Sequence, residues 1–309
     1  MKYWKTEKDQ YGVTCSIDNL VFSYDLRITP SQAFDFWKTW FSTNIDGWNA
    51  EKSSRLDRTT SEWDPYNYAI WGAGIFVKIG NGDKKLRLLD RIRFEINPNK
   101  HFDEPVWTFL TEFIYAFCKD GYLERYDLAC DFETIKENIV VRSRKAESVV
   151  KGTLYFGRRS RHGFLKIYDK KLESDLEDNL TRVEYTLVPD GAIPTDEIFV
   201  ADFKLNPDES LGSNAQDVYR LLMVIQSLGG DFVGEYNRLG RKMRANLKPF
   251  IFGGTLTWTF PVIACERLLN AVCDGLDLVL NKTAVYPRLN RELKTIVFGG
   301  DDSEGDDDD

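Results

Sequence analysis

The sequence predicts an α+β protein, in which a mostly antiparallel sheet with packed helices is followed by a smaller helical region. Short apolar runs with strand-like alternation recur up to about residue 200. Segments with helical spacing interrupt these runs, and helical spacing prevails afterwards. An apolar fraction of 42%, with 14% aromatic residues, is sufficient for a sizeable core.

Helices are predicted where proline follows a polar residue at the start of an apolar pattern. The first should begin after Thr29, with Pro30 in its first turn. A second should begin at Pro105 and end at Gly121. Between them, the dipeptide Asn81-Gly82 predicts the turn of a β-hairpin.

Three further strands are predicted in the middle of the chain. "ERYDLACDFE" alternates, so Asp127 and Asp131 share one face of a strand. "TLYFGRRSRHGFLKIYDKK" predicts two strands, 153–157 and 163–168, around a basic loop. "LTRVEYTLVP" predicts a strand that ends at Pro189.

The predicted domains follow this division. Residues 1–200 form the α+β domain, 201–299 a mostly helical region, and 300–309 a disordered acidic tail. The net charge is −8, but the last nine residues contain seven acids, which leaves 42 acids against 41 bases elsewhere. From Arg142 to Lys171 there are ten bases and two acids, so a local polyanion-binding surface is compatible with an acidic chain.

Several classes of protein are excluded. The two histidines, His101 and His162, do not form a paired-histidine metal motif, and no GxxxxGK[ST] phosphate loop is present. The five scattered cysteines predict reduced thiols in a cytoplasmic protein. Without an apolar secretory segment or an 18-residue apolar run, no secretion or membrane span is expected.

Acidic residues inside apolar strands are candidates for metal binding. Asp127, Asp131 and Glu184 have this setting, and Glu95 shares it. Carboxylates on one strand face can share Mg²⁺ or Mn²⁺. The alternative is that each acid points outward into water, as in many half-buried strands.

The basic loop is a candidate phosphate-binding element. Arg158, Arg159 and Arg161 lie at its tip beside His162, and guanidinium groups suit phosphate oxygens. The alternative is a solvated turn. From composition alone, Tyr168 is an ordinary core or edge aromatic.

Three motifs resemble the replication initiation factor family. "TLYFGRRSRHGFLKIYDKK" resembles its "YFGSRxSxxxxRIYDK" segment, "RYDLACDF" its "RxDLAxD" strand and "TRVEYTL" its "RxExxL" strand. The resemblance covers about residues 65–190. It implies a nuclease-type domain that nicks origin DNA through a tyrosine, with a divalent metal ion as helper.

The resemblance also implies roles for individual residues. Tyr168 matches the tyrosine of "YDK" and becomes the expected nucleophile, with Lys166 and Lys170 as groups that favour its phenolate. Some family members have a second tyrosine where this chain has Leu172; if that residue were the nucleophile, Tyr185 would be the nearest substitute.

The predicted function is rolling-circle replication initiation by strand-specific nicking, through a 5′-phosphotyrosine intermediate. The predicted partners are origin DNA, a host helicase or polymerase, and a second copy of the chain. A non-catalytic DNA-binding regulator on the same scaffold, and an interaction protein that works through its acidic tail, are the alternatives.

Overall fold

A long, mostly antiparallel sheet organises the fold, which confirms the predicted α+β class. The structure is a computed structural model. It describes residues 5–6, 8–9, 12–52, 66–80, 90–101, 104–159, 161–174, 178–201, 211–228, 230–251 and 257–279.

The elements are numbered in chain order. The strands are β1 (Thr14–Leu26), β2 (Asn49–Lys52), β3 (Tyr68–Gly72), β4 (Ile75–Gly80), β5 (Arg91–Ile96), β6 (Cys118–Phe132), β7 (Ile139–Arg142), β8 (Glu147–Val150), β9 (Thr153–Phe156), β10 (Phe164–Asp169), β11 (Thr181–Leu187), β12 (Glu197–Val200), β13 (Thr257–Thr259) and β14 (Leu278–Val279). The helices are α1 (Pro30–Asn44), α2 (Pro98–His101), α3 (Pro105–Phe117), α4 (Lys170–Ser174), α5 (Ser213–Ser227), α6 (Phe232–Arg238), α7 (Arg241–Ile251) and α8 (Val262–Leu276). A 3-10 turn spans Lys136–Asn138.

Within the described ranges, the long sheet has the strand order β2-β3-β4-β5-β1-β6-β11-β10-β9-β8, and β14 pairs with β6. The β14–β6 pairing is parallel, whereas the other pairings of this sheet are antiparallel. A small sheet has the order β13-β12-β7. The central strands β1, β6 and β11 are therefore far apart in sequence, and their register sets which side chains meet.

The two faces of the long sheet differ in chemistry. On the helix-covered face, β6 directs Leu128 and Cys130 toward the core, where they meet Tyr185 and Val183 of β11. The opposite face, which we call the polar face, bears these side chains on the central strands: Asn19, Glu95, Arg125, Asp127, Asp131, Lys166, Tyr168, Arg182 and Glu184. Alternation along the strands separates the two sets, and it is interrupted in β1 where the β1–β6 register shifts.

Helices α1, α3 and α8 cover the apolar side. Helix α1 begins as the sequence predicts, because Thr29 and Gln32 form a capping box and Pro30 occupies the first turn. Trp37 of α1 is fully buried, with its ring 5.3 Å from that of Phe94 and 5.5 Å from that of Phe113.

Two local predictions need comment. The helix expected to run to Gly121 ends at Phe117, because Cys118 onward pairs with the end of β1 as strand β6. Gly121 lies within that strand, where an added Cβ would stand 2.1 Å from the Tyr24 ring. The predicted turn at Asn81-Gly82 lies outside the described residues.

The C-terminal helices contribute to two different cores. Helices α5, α6 and α7 enclose a core of their own around Tyr219, Phe232 and Leu247, whereas α8 packs into the main core. The predicted tail, 300–309, lies outside the described residues. No helix in the described part of the chain is long and apolar enough to cross a membrane. All five cysteines are buried free thiols.

Candidate active site

A cavity with a volume of about 1050 Å³ opens on the polar face. Strands β1, β6, β9, β10 and β11 contribute to its wall, together with the loop at Arg159. Its central lining residues are Asp18, Asn19, Asn97, Asp127, Tyr155, Lys166, Tyr168 and Glu184. One solvent-accessible space thus contains acids or tyrosines from all three motifs, among them Asp127, Tyr168 and Glu184.

Tyr168 is hydrogen-bonded to a buried carboxylate inside this cavity. Its hydroxyl donates to Glu184 Oε2 at 3.2 Å. Lys166 Nζ donates to the other oxygen of Glu184 and forms an ion pair with it. The antiparallel register explains this arrangement, because Lys166 lies directly opposite Glu184 and Tyr168 lies one alternation further along the same face.

Burial shifts the protonation of these groups. Burial, and next the Glu184 carboxylate, raise the pKa of Tyr168, while the Arg182 guanidinium lowers it. Burial also raises the pKa of Glu184, against the opposing effect of Lys166. Burial lowers the pKa of Lys166, but Glu184 and Asp127 outweigh it, so that this pKa is raised. At rest, therefore, the tyrosine is a phenol beside a proton acceptor.

Arg182 connects two other acids. Its Nε and Nη2 bind the two oxygens of Asp131 at 2.6 and 2.8 Å, and its Nη1 binds Asp18 Oδ1 at 2.8 Å. The two-pronged contact matches guanidinium to carboxylate geometry. Both oxygens of Asp131 are thereby engaged, and Arg182 is fixed opposite Tyr168 in the register.

Asp127 is the acid with a free oxygen. Its carboxyl is buried, which raises its pKa, and a hydrogen bond from Thr186 and the charge of Lys166 act in the other direction. Its Oδ1 has no hydrogen-bond partner. A buried carboxylate oxygen without a partner is costly, and such an atom indicates a site for a cation or a substrate donor.

The basic loop lies at the rim of the cavity. Arg159 is among the lining residues, and Arg158 and Arg161 are exposed beside it. His162 has a structural role instead, because its Nε2 meets Ala192 O at 2.6 Å and its Nδ1 accepts from Val188 N at 3.2 Å. The loop is thus anchored to the segment after β11.

The remaining predicted site residues are placed as follows. Lys170 forms an ion pair with Glu173, and its Nζ lies 5.9 Å from the centre of the Tyr168 ring. Asp127, Asp131 and Glu184 lie on one face, but only Asp127 and Glu184 line the cavity. Among the described residues, no three His, Cys, Asp or Glu side chains stand in an arrangement that could hold a metal ion.

Curated relatives of this chain are replication initiation proteins of Staphylococcus aureus. One is 31% identical over 191 residues, which are 57% of this chain and 57% of the relative. Another is 29% identical over 220 residues, 63% of this chain and 70% of the relative. A third is 32% identical over 155 residues, 43% and 47% of the two chains. This chain is similar to replication initiation proteins over about half of its length.

The resemblance seen in the motifs is confirmed by these replication initiation proteins. The alignments span 57% of the first relative's length and 47% of the third's, which is about half. No protein-family model matches the chain. A solved rolling circle replication initiator protein from Geobacillus stearothermophilus covers 88% of this chain and 99% of its own, at 14% identity and a TM-score of 0.33. A TM-score of this size carries no conclusion.

The cavity residues that sequence reasoning missed include Asp18, Asn19 and Asn97. Asp18 lies within an irregularity of the β1–β6 register, between Ile17 and Asn19, and Asn19 follows it. This irregularity breaks the alternation used to assign faces. Asn97 donates to Asp18 Oδ1 at 3.3 Å. Its position in "RFEINPNK", close to the acid Glu95, was the one available signal.

Proposed function

We propose that this protein initiates rolling-circle replication by nicking one strand of origin DNA, with Tyr168 as the covalent nucleophile. The observation that supports this function is the hydrogen bond from the Tyr168 hydroxyl to Glu184 inside an open cavity edged by arginines. A nucleophile beside a base, with the base held by a third group, is the arrangement that nucleophilic catalysis requires.

Glu184 is the general base in this proposal. It accepts the phenol proton while the phenolic oxygen bonds to phosphorus, and the bond from phosphorus to the 3′ oxygen breaks. The departing oxygen takes a proton from water and becomes a free 3′-hydroxyl, and the 5′ end stays on the tyrosine. The raised pKa of Glu184 makes this carboxylate a stronger base than an exposed one, which favours the transfer.

Lys166 and Arg182 hold the reacting groups in place. Lys166 fixes the Glu184 carboxylate from one side, so that its other oxygen faces Tyr168. Arg182, held by Asp131 and Asp18, lowers the pKa of Tyr168 and stabilises the phenolate as it forms. Asp131 thus acts through Arg182.

A divalent cation, Mg²⁺ or Mn²⁺, fits part of this site. Such ions are often held by one or two carboxylates together with substrate phosphate and water. Asp127, with its unpartnered oxygen, and Glu184 would hold it, and Asp18 lines the same cavity. When bound, the ion offsets charge on the phosphate oxygens.

The other partners are proposals from the resemblance. They are a second copy of the chain, a host helicase or polymerase, and origin DNA in the cytoplasm. Arg158, Arg159 and Arg161 are proposed to contact the DNA backbone at the cavity rim.

The test uses Tyr168→Phe and a matched control, Tyr155→Phe. Tyr155 lines the same cavity and pairs with Lys166, but is not hydrogen-bonded to Glu184. With a labelled origin oligonucleotide and Mn²⁺, the unmodified chain and Tyr155→Phe should form a covalent adduct on denaturing gels. Tyr168→Phe should form none while it still binds the DNA.

Two results would contradict the proposal. An adduct formed by Tyr168→Phe would assign the nucleophile to another residue. Specific origin binding by the unmodified chain, without an adduct under any divalent metal, would favour a non-catalytic regulator.

A further inference from the structure

An extra residue in β1 turns two consecutive polar side chains into the cavity. In the β1–β6 register, Ile17 lies opposite Leu128. The next pair is Asn19 with Asp127, so Asp18 is the inserted residue of a β-bulge. Regular alternation would send neighbouring side chains to opposite faces, yet Asp18 and Asn19 both line the cavity. The position of the Asp18 side chain therefore depends on this bulge.

The bulge lies where β1 passes the end of β5. The pairing of β1 with β5 starts at Leu20 and Ile96, and Ile96 is the last residue of β5. Pro98 follows two residues later, and proline has no N–H that could extend the ladder. In this register no β5 residue lies opposite Ile17, so the backbone carbonyl there is open to another donor.

Two asparagines, one just before α2 and one within it, contact the bulge. Asn99 Nδ2 donates to Ile17 O at 2.8 Å, and Asn97 Nδ2 donates to Asp18 Oδ1 at 3.3 Å. Asn97 Oδ1 also accepts from the amides of Asn99, at 2.9 Å, and Lys100, at 3.3 Å. This side-chain turn fixes the two asparagines relative to each other. Helix α2, which packs on β1, thereby holds two consecutive residues of the bulge.

Asp18 carries this position to the proposed nucleophile. Arg182 Nη1 donates to the same oxygen of Asp18 at 2.8 Å. Arg182 lies directly opposite Tyr168 in the β10–β11 register, and its charge lowers the pKa of Tyr168. The planar guanidinium keeps a fixed orientation while its acceptors stay in place. A displaced Asp18 would release one arm of Arg182 beside Tyr168.

We infer that Asn99 is a positioning residue for nicking, because its amide holds the β1 bulge and so keeps the Asp18 carboxylate in contact with Arg182. The inference rests on the proposed function, in which Arg182 acts on the Tyr168 nucleophile. Asn99 is exposed and is not among the described residues that line the cavity. Its effect is exerted through the backbone of Ile17.

The test compares Asn99→Ala and Asn99→Asp with a matched control, Asn44→Ala, in the full chain. An ionised aspartate has nearly the shape of asparagine but cannot donate a hydrogen bond. Asn44 is also exposed, and its Nδ2 donates to a backbone carbonyl, Trp40 O, at the same distance of 2.8 Å. It lies on α1, on the helix-covered side of the sheet.

The expected result is a loss of rate without a loss of affinity. With saturating origin oligonucleotide and Mn²⁺, both Asn99 variants should form the covalent adduct about tenfold more slowly per folded molecule, since a misplacement of about 1 Å near reacting groups can cost about 100-fold. Anisotropy should give the same DNA affinity for these variants, Asn44→Ala and the unmodified chain. The rate of Asn44→Ala should be unchanged.

A double-mutant cycle separates positioning from general destabilisation. In an Asp18→Asn background, Asn99→Ala should cause no further loss of rate, because the contact that it supports is already weakened. An equal fold loss in both backgrounds would mean that Asn99 does not act through Asp18, and it would overturn the inference. A rate equal to that of Asn44→Ala in both Asn99 variants would also overturn it.

Hydrogen exchange gives a measurement that does not depend on nicking. The amides of residues 16–20 should exchange faster in both Asn99 variants than in Asn44→Ala, because the bulge is held less firmly. Unchanged exchange in this segment would refute the holding role. Failure of the proposed function would instead appear as a missing adduct in the unmodified chain, and the exchange measurement would still decide the role of Asn99.

Discussion

The two faces of the long sheet use alternate residues of the same strands for opposite purposes. On β6, Leu128 and Cys130 are packed under helices, while Asp127 and Asp131 lie on the polar face. Burial of the first pair stabilises the fold, since each apolar side chain removed from water contributes about 1.5–3 kcal/mol. Burial of the second pair opposes folding unless each charge is compensated.

The polar face itself is compensated unevenly. Away from the cavity its charges form pairs, such as Arg91 with Asp25 at 3.0 Å and Arg93 with Glu124 at 2.9 Å. Within the cavity, Asp127 retains an unpartnered oxygen, and burial raises the pKa of both Asp127 and Glu184. The helix-covered face therefore stabilises the fold, whereas the polar face carries the chemical groups. Its uncompensated charge is concentrated where the reaction is proposed to occur.

The largest expected effect is on nicking. Glu184→Gln removes the proton acceptor of Tyr168 and should lower the nicking rate by about 10²–10⁴-fold, the usual contribution of a general base. The rate of the unmodified chain should rise with pH as Glu184 ionises, and this limb should vanish in the variant. Glu95→Gln is the control, because Glu95 lies on the same face outside the cavity. An equal decrease in both variants would refute the assignment.

On the helix-covered face the expected effect is on stability. Leu110 of α3 is buried, so Leu110→Ala should lower the free energy of unfolding by about 2–5 kcal/mol. Nicking per folded molecule should stay unchanged. Urea denaturation measures the difference, and exposed Thr108→Ala on the same helix should change stability by less than about 0.5 kcal/mol. A loss of nicking in fully folded Leu110→Ala would mean that the two faces are not separable.

A substitution on the polar face should change the free energy of unfolding in the opposite direction. Asp127→Asn removes a buried charge and should raise the free energy of unfolding near pH 7 by about 0.5–2 kcal/mol, while nicking falls. Because the folded-state pKa of Asp127 is raised above 3.8, the carboxyl form contributes stability below pH 3.8 and loses it as the pH rises through the folded pKa. The gain should therefore be absent near pH 3 and grow with pH. A variant less stable at pH 7 would contradict this.

The smallest effect is expected at the cavity rim. Replacing Arg158, Arg159 and Arg161 with Ala should weaken binding to all DNA sequences and reduce the salt slope by about 0.9 for each phosphate that is no longer bound. Anisotropy with the origin oligonucleotide measures this slope. His162→Ala is a useful contrast, since its ring is bonded within the chain and should affect stability more than the slope. An unchanged slope in the arginine variant would assign the loop to solvent.

Local sequence patterns predicted much of the division between the helix-covered face and the polar face. The cap at Thr29, the hairpin 153–168 and the face shared by Asp127 and Asp131 were predictable from nearest neighbours alone. The partner of each acid was not, because it depends on register between distant strands. Asp131 meets Arg182, 51 residues away, and Arg182 meets Asp18, 164 residues away. A local sequence pattern spans only a few residues, so it cannot identify partners that are this far apart in the chain.

The packing of α8 determines when the fold can be completed. The Tyr24 hydroxyl of β1 donates to Leu276 O, 252 residues later, and β14 pairs with β6 only after α8 has been made. Folds dominated by such distant pairings are slow to form, since loop closure precedes the stabilisation that the pairing provides. On a ribosome, the part of the apolar side of β1 and β6 that α8 covers therefore stays exposed while more than a hundred residues are added after β6.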